Sequence, residues 1–333
     1  MTIEFKRYLK NKKNLEDAFL YNPGHEHDSC GVGFVASTDG KQRREVVQGG
    51  IDALKAVWHR GAVDADGKTG DGAGILTQIP YNFFDDEIAK TGHEKRDETL
   101  GIGMMFLPRN DYAALEKCRT IIESELLDHG YYIYGWRQVP INNSVIGEKA
   151  NSTRPEIEQV MFVNNIERDK DFDFAKELYL VRRRLEKRIA KQQINGFYVC
   201  SLSFESIIYK GLFLAEQLSI FYPDLANEEF ISSFAVFHQR YSTNTFPSWG
   251  LAQPFRLLAH NGEINTLKGN INWMSAHEPR ITHPFFNERI NDLKPILDPD
   301  ASDSASLDAA FELFVQTDRD MPMAKSMIIP ESW

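Results

Sequence analysis

The chain has 333 residues, 42% of them hydrophobic, enough to bury a sizeable core in one large domain or two ordinary ones. Its 48 acidic and 38 basic residues leave a net charge of -10, which repels phosphate backbones and anionic lipid and argues against a nucleic-acid partner. Cys30, Cys118 and Cys200 are too few and too scattered to staple a secreted scaffold, and no apolar run suits a signal peptide or a membrane span, so a soluble cytoplasmic protein with reduced thiols and no membrane partner is expected.

In chain order, residues 1–29 are basic early, at Lys6, Arg7, Lys10, Lys12 and Lys13. Short β-branched or aromatic runs then predict strands at 31–36, 74–79, 100–107, 131–139, 160–163, 197–203, 234–238 and 255–259. Helical spacing joins Ile51, Leu54, Val57 and Trp58, then Leu115, Cys118, Ile122 and Leu126, then Phe174, Leu178, Val181, Leu185 and Ile189. A last helix follows Ser304 through Leu307, Phe311 and Phe314, with Asp303 or Ser304 as its N-cap. Strands and helices do not alternate as in βαβ units, and several neighbouring strands could close hairpins. That order predicts two layered sheets, an α+β sandwich, in place of a doubly wound sheet. The polar stretch 140–155 reads as a long surface loop.

Five features carry chemistry. Cys30 stands directly before a glycine-containing strand in HEHDSCGVGFVA, where a buried packing cysteine is the plain alternative; Cys118 and Cys200, on apolar faces, fit that alternative. His25, His27 and Cys30 are zinc-type donors without a fourth ligand. Gly61, Gly67, Gly70, Gly72 and Gly74 share a loop that leads into a strand, not a helix, and lacks the Lys-Ser/Thr ending of a phosphate-binding loop; it suits a tight wall beside a site, or an ordinary turn. Arg240 follows a strand, with Ser242, Thr243 and Asn244 beside it, as a group gripping a carboxylate would. In HNGE, Asn261 and Gly262 make either a β-turn or a pair of donors to a developing oxyanion, and His260 is core or site.

The segments HDSCGVGFVA, WHRGAVDADGKTGDGAGI, FHQRYSTNTFPSWGLAQPFRLLAHNGEINT and SDSASLD stand in the order seen in glutamate synthase large chains. From Asp28 onward the chain resembles their N-terminal class II glutamine amidotransferase domain. The resemblance implies an N-terminal nucleophile hydrolase fold, a four-layer αββα sandwich of two mainly antiparallel sheets. It implies that residues 1–29 are a propeptide whose removal exposes Cys30 as the nucleophile, and that 30–333 is the amidotransferase domain, truncated at its C-terminal end. Asn261 and Gly262 would form the oxyanion hole, Arg240 would hold the glutamine α-carboxylate, Asp303 its α-amino group, and Thr243 would add a substrate contact. The implied reaction is the glutaminase half of glutamate synthase, through a Cys30 thioester, with ammonia destined for 2-oxoglutarate in the full-length enzyme. No cofactor is expected in this chain; FMN, an iron–sulfur cluster, the downstream synthase domains and a small reductase subunit would belong to the longer protein. Two alternatives stand beside this reading: a catalytically silent glutamine-sensing or docking module, and an N-terminal-nucleophile hydrolase of another amide. Arg240 and Asp303 argue against the last, because an unrelated acyl substrate would not need both charges.

Overall fold

Side chains alternate along a strand, so in Leu100–Leu107 the residues Ile102, Met104 and Phe106 enter one apolar core while Met105 and Leu107 enter another. A strand buried on both faces lies inside a stack of layers. The computed structural model describes residues 3–18, 22, 30–240, 246–298 and 301–330, in two units, Met1–Cys30 and Gly31–Trp333. The first holds helix α1 (Ile3–Asp17), whose described side chains are almost all exposed.

The second unit contains two four-stranded sheets. One runs in the order β1 (Val32–Ala36), β8 (Phe234–Gln239), β2 (Ala73–Gln78), β7 (Ser206–Gly211); the other in the order β4 (Tyr131–Gln138), β5 (Glu156–Asn164), β3 (Leu100–Leu107), β6 (Tyr198–Ser203). Every pairing among them is antiparallel. Helix α2 (Arg44–Ala56) lays Val46, Val47, Ile51 and Leu54 on the first sheet, while α3 (Tyr81–Lys90) buries Phe83, Phe84 and Ile88 in the same core. Helices α4 (Tyr112–Asp128) and α6 (Phe174–Ala190) cover the second sheet with Leu115, Ile122, Leu126, Leu178, Val181 and Leu185. Both begin at an aspartate cap: Asp111 accepts the Ala114 N–H at 2.9 Å and Asp173 the Lys176 N–H at 3.0 Å, each worth about 1 kcal/mol. Helix, sheet, sheet, helix is the expected αββα sandwich. Short α5 (Glu148–Ser152) and α7 (Leu218–Phe221) join the first core, and α8 (Leu267–His277), α9 (Asp303–Gln316) and α10 (Met321–Ile328) follow in the chain. A third apolar cluster joins the back of α6, at Tyr179 and Leu180, to Phe286, Leu293 and Leu313.

Several expectations need correction. The sequence 206–211 is strand β7, and the two residues Phe204 and Glu205 turn the chain from one sheet to the other, with Ser203 Oγ accepting the Glu205 and Ser206 N–H groups at 2.9 and 3.2 Å. Among the described residues only β4 and β5 are consecutive strands that pair, so tight hairpins are not the organising motif. Strand β5 begins at Glu156, four residues before its apolar stretch, because the buried Glu158 and Gln159 find arginine partners. The run 255–259 is not a strand: Asp308 Oδ1 accepts the Leu257 and Leu258 N–H groups at 3.0 and 3.1 Å, so a side chain of α9 replaces a neighbouring strand. Nor is 140–155 a free surface loop, since it contains a 3-10 turn at Asn143–Val145 and α5, with Ile146 and Ala150 buried.

Candidate active site

Strand β8 lies between β1 and β2, and its last residues carry the polar groups of the FHQR segment to one end of the sheet. The Gln239 N–H donates to Gly31 O at 2.5 Å, pinning the residue that follows Cys30 against the end of β8. A Cβ at Gly31 would stand 2.3 Å from Gln239 O and 3.1 Å from Asn261 Nδ2, so this close approach requires glycine and brings the Asn261 amide to the same point. The Gln239 side chain is fully buried; a Cβ on Gly61 would sit 2.0 Å from its Nε2. Arg240 is exposed, has φ of +98°, and donates its N–H to Gly72 O at 2.9 Å. The glycine-rich loop thus forms the wall against which Gln239 and Arg240 are set, while the left-handed backbone at an arginine stores strain of about 1–3 kcal/mol.

His260, Asn261 and Gly262 approach from the other side. His238 Nε2 lies 2.9 Å from His260 O, and since a carbonyl oxygen can only accept, Nε2 carries the proton. Burial holds the His238 imidazole down to about 4, opposed by the bond to the His260 carbonyl and by the Asn261 side chain, while the charge of the His260 ring pushes the same way as burial. His260 is also pushed down by burial, and the negative charge of Asp303 opposes this. Asp303, 3% exposed, opens α9 and accepts the Ser304 N–H at 2.7 Å. The N-cap is Ser302, whose Oγ accepts the Ala305 N–H at 3.1 Å, and not Asp303 or Ser304 as expected.

The structure therefore sets Asn261 beside Gly31, ties Gly31 to Gln239, the residue before Arg240, and brings the charge of Asp303 to bear on His260, the residue before Asn261. Gly262, next to Asn261, is exposed, with 3.6 Å between an added Cβ and His260 Nδ1. Cys30 is exposed. Thr243, Ser242 and Asn244 lie outside the described residues, as do His25 and His27 of the zinc alternative. Cys118 and Cys200 are buried, and burial pushes their thiols up to about 11 and about 12, as suits packing rather than nucleophilic residues. An iron–sulfur cluster is held by several cysteine thiolates gathered at one place, and among the described residues no group of three or more His, Cys, Asp or Glu is arranged for a metal. Among them, too, no helix is long and apolar enough to cross a membrane. The sequence reading passed over His238, Gln239 and Gln253; the signal was a buried amide in each of the apolar runs FAVFHQ and WGLAQPF.

A cation at Arg240, a carboxylate at Asp303 and an amide at Asn261 are the kinds of group that suit a small zwitterion with a carbonyl to be polarised. The sequence matches the family model of class-II glutamine amidotransferases over residues 30–333. It is 60% identical to the glutamate synthase [NADPH] large chain of Azospirillum brasilense over 325 residues, which is 98% of this chain and 21% of that protein. The chloroplastic ferredoxin-dependent glutamate synthase of Spinacia oleracea is 42% identical over 322 residues, 96% of this chain and 19% of that protein. The glutamate synthase [NADPH] large chain of Bacillus subtilis is 42% identical over 314 residues, 94% and 20%. The chain spans about a fifth of the length of these curated relatives. With the family match running from Cys30 through Trp333, the chain belongs to the class-II glutamine amidotransferases.

Proposed function

We propose that this chain hydrolyses L-glutamine to L-glutamate and ammonia, with Cys30 as nucleophile once the Ser29–Cys30 peptide bond has been cut. The freed α-amino group of Cys30, with an ordinary pKa of about 7.7–8.0, is neutral in a fraction near one in ten or more at pH 7 and takes the thiol proton. The sulfur adds to the side-chain amide carbon, and the oxyanion meets the Asn261 amide and the Gly262 N–H. Collapse expels ammonia with the proton held by the amine. Water then adds to the thioester, again giving its proton to the amine, and glutamate leaves as sulfur recovers its proton. Arg240 takes the α-carboxylate and Asp303 the α-ammonium, with Thr243 as a further contact, so the zwitterion is fixed at both ends.

The observation that carries this reading is the Asn261 amide at Gly31, the covalent neighbour of Cys30, on the strand end that bears Arg240. In the longer protein we assign the ammonia to amination of 2-oxoglutarate, with FMN, an iron–sulfur cluster and a reductase subunit supplied outside this chain, in a cytoplasmic setting that suits three free cysteines. Intact-mass measurement with a glutaminase assay tests the first step. The expected result is loss of residues 1–29, one glutamate and one ammonia per glutamine, and no turnover by Cys30→Ala. Full activity from a chain that retains Met1–Ser29 would remove the α-amine as base.

A further inference from the structure

Among the described residues no strand pairs with the segment that presents Asn261, yet it is held at two consecutive peptide groups. Gln253, 2% exposed, uses both ends of its side-chain amide on His260: its Oε1 accepts the His260 N–H at 3.0 Å and its Nε2 donates to His260 O at 3.1 Å. The same oxygen accepts a second bond from His238 Nε2, at 2.9 Å. Both lone pairs of that carbonyl are therefore taken by side chains from outside the segment.

We infer that Gln253 and His238 are positioning residues that aim the Asn261 donor by fixing the peptide group before it. The peptide unit is planar, so fixing His260 O also fixes the direction of the Asn261 N–H and the position of the Asn261 Cα. The Gln253 bond to the His260 N–H fixes the preceding plane as well, which leaves Asn261 only its own backbone and side-chain torsions. An oxyanion donor stabilises charge only when aimed beforehand, since its advantage over water is that nothing reorganises during reaction. Asn261 is itself exposed and receives no such hold from burial. Gln253 in turn is seated by its backbone: a Cβ on Gly74 of β2 would stand 2.6 Å from Gln253 O, so strand β2 closes against it. Both residues act through Asn261 and touch no substrate.

The inference rests on the proposed glutaminase reaction. With processed enzyme, Gln253→Met and His238→Leu should each lower kcat roughly tenfold to a hundredfold and leave KM for glutamine within about twofold, because only the aim of a transition-state donor is lost. His238→Gln, whose amide can still donate to His260 O, should recover most of that loss. In an Asn261→Ala background, already slower by about a hundredfold to a thousandfold, neither substitution should cost more. A separate structural role would instead multiply the losses, and that result overturns the inference, as does unchanged kcat or a rise in KM alone. Should Gln253→Met not fold, the His238 pair gives the same decision. Inactive wild-type protein with Cys30 at its N-terminus would sink the glutaminase reading together with this one; active wild type with insensitive Gln253 and His238 variants sinks this one alone.

Discussion

Two buried polar clusters in the sandwich satisfy their atoms to very different degrees. In the first, Arg137 of β4 meets Asp224 through two bonds of 2.7 and 2.8 Å, Gln159 of β5 at 2.9 Å and Glu87 of α3 at 2.8 Å, while Tyr209 of β7 donates to Asp224 at 2.8 Å and accepts from Gln159 at 2.9 Å. Both terminal guanidinium nitrogens are hydrogen-bonded, leaving only Nε paired with Glu87 by charge and distance alone, and the cluster ties the two sheets together. At the end of β8 the reverse holds: His238 Nδ1, both side-chain atoms of Gln239 and His260 Nε2 are buried with no hydrogen-bond partner among the described residues. A closed network contributes to the fold, whereas buried atoms with bonding capacity left over cost about 1–3 kcal/mol each and are tolerated where the site needs them.

The largest expected effect falls on the closed cluster. Arg137→Met leaves Asp224 buried without its counter-ion, and breaking a buried pair in this way should destabilise the protein by about 3–5 kcal/mol, read as a lower urea midpoint. Turnover of glutamine per folded molecule should not change, because no part of the network reaches Asn261 or Arg240. A loss below about 1 kcal/mol would mean that the two clusters do not differ as described.

A somewhat smaller effect separates the clusters by pH. The His238 imidazole stays neutral in the folded protein down to about pH 4, against 6.5 for the free side chain, because burial disfavours its charged form. Between those values the unfolded chain binds a proton that the folded chain refuses. The stabilisation is therefore complete above pH 6.5 and lost as pH falls towards 4, by about 3 kcal/mol in all. His260 is shifted in the same direction, with Asp303 opposing, and adds to the slope. Glu186 contributes in a lower window: burial would raise it, but Arg182, Arg183 and Arg256 hold it at about 2, so its contribution fades below about 4.5. Urea unfolding at pH 6.5 and pH 4.5 should show a smaller difference in His238→Gln than in the wild type. Equal differences would place a charged imidazole at position 238.

Legibility in the sequence follows the same division. Strands such as β3 and β8 could be read because their own residues carry the pattern, apolar on both faces or alternating. The start of β5 could not, because Glu156, Glu158 and Gln159 look like solvent-facing residues until Arg119 and Arg137 arrive from elsewhere in the chain. Strand β7 was hidden by a corner of Phe204 and Glu205 with no glycine or proline to mark it. Residues 255–259 erred the other way, since an apolar run reads as strand although its amides are taken by Asp308. At the site, Cys30, Arg240, Asn261, Gly262 and Asp303 stood out through motifs in fixed order. Gln253 and His238 did not, because each bonds a backbone group, 7 and 22 residues away, which leaves no trace in residue type.

The smallest effect concerns strain at the open end. Arg240 holds φ of +98° although it is exposed and makes no ion pair among the described residues, so little packing offsets a conformation that costs an L-residue about 1–3 kcal/mol. Glycine adopts that backbone freely, at a cost of about 0.5–1 kcal/mol from the greater freedom of the unfolded chain. Arg240→Gly should therefore stabilise the protein by about 1 kcal/mol. The same change should raise KM for glutamine while kcat stays within a few-fold, because the α-carboxylate is the same in ground and transition states, and glutamine derivatives without that carboxylate should become comparable substrates. Opposite signs in stability and substrate binding would place the strain in the service of the guanidinium, a trade expected of a site and not of a scaffold. A variant less stable than the wild type would show that the Arg240 side chain supports the fold, and the contrast between the two clusters would lose its sharpest edge.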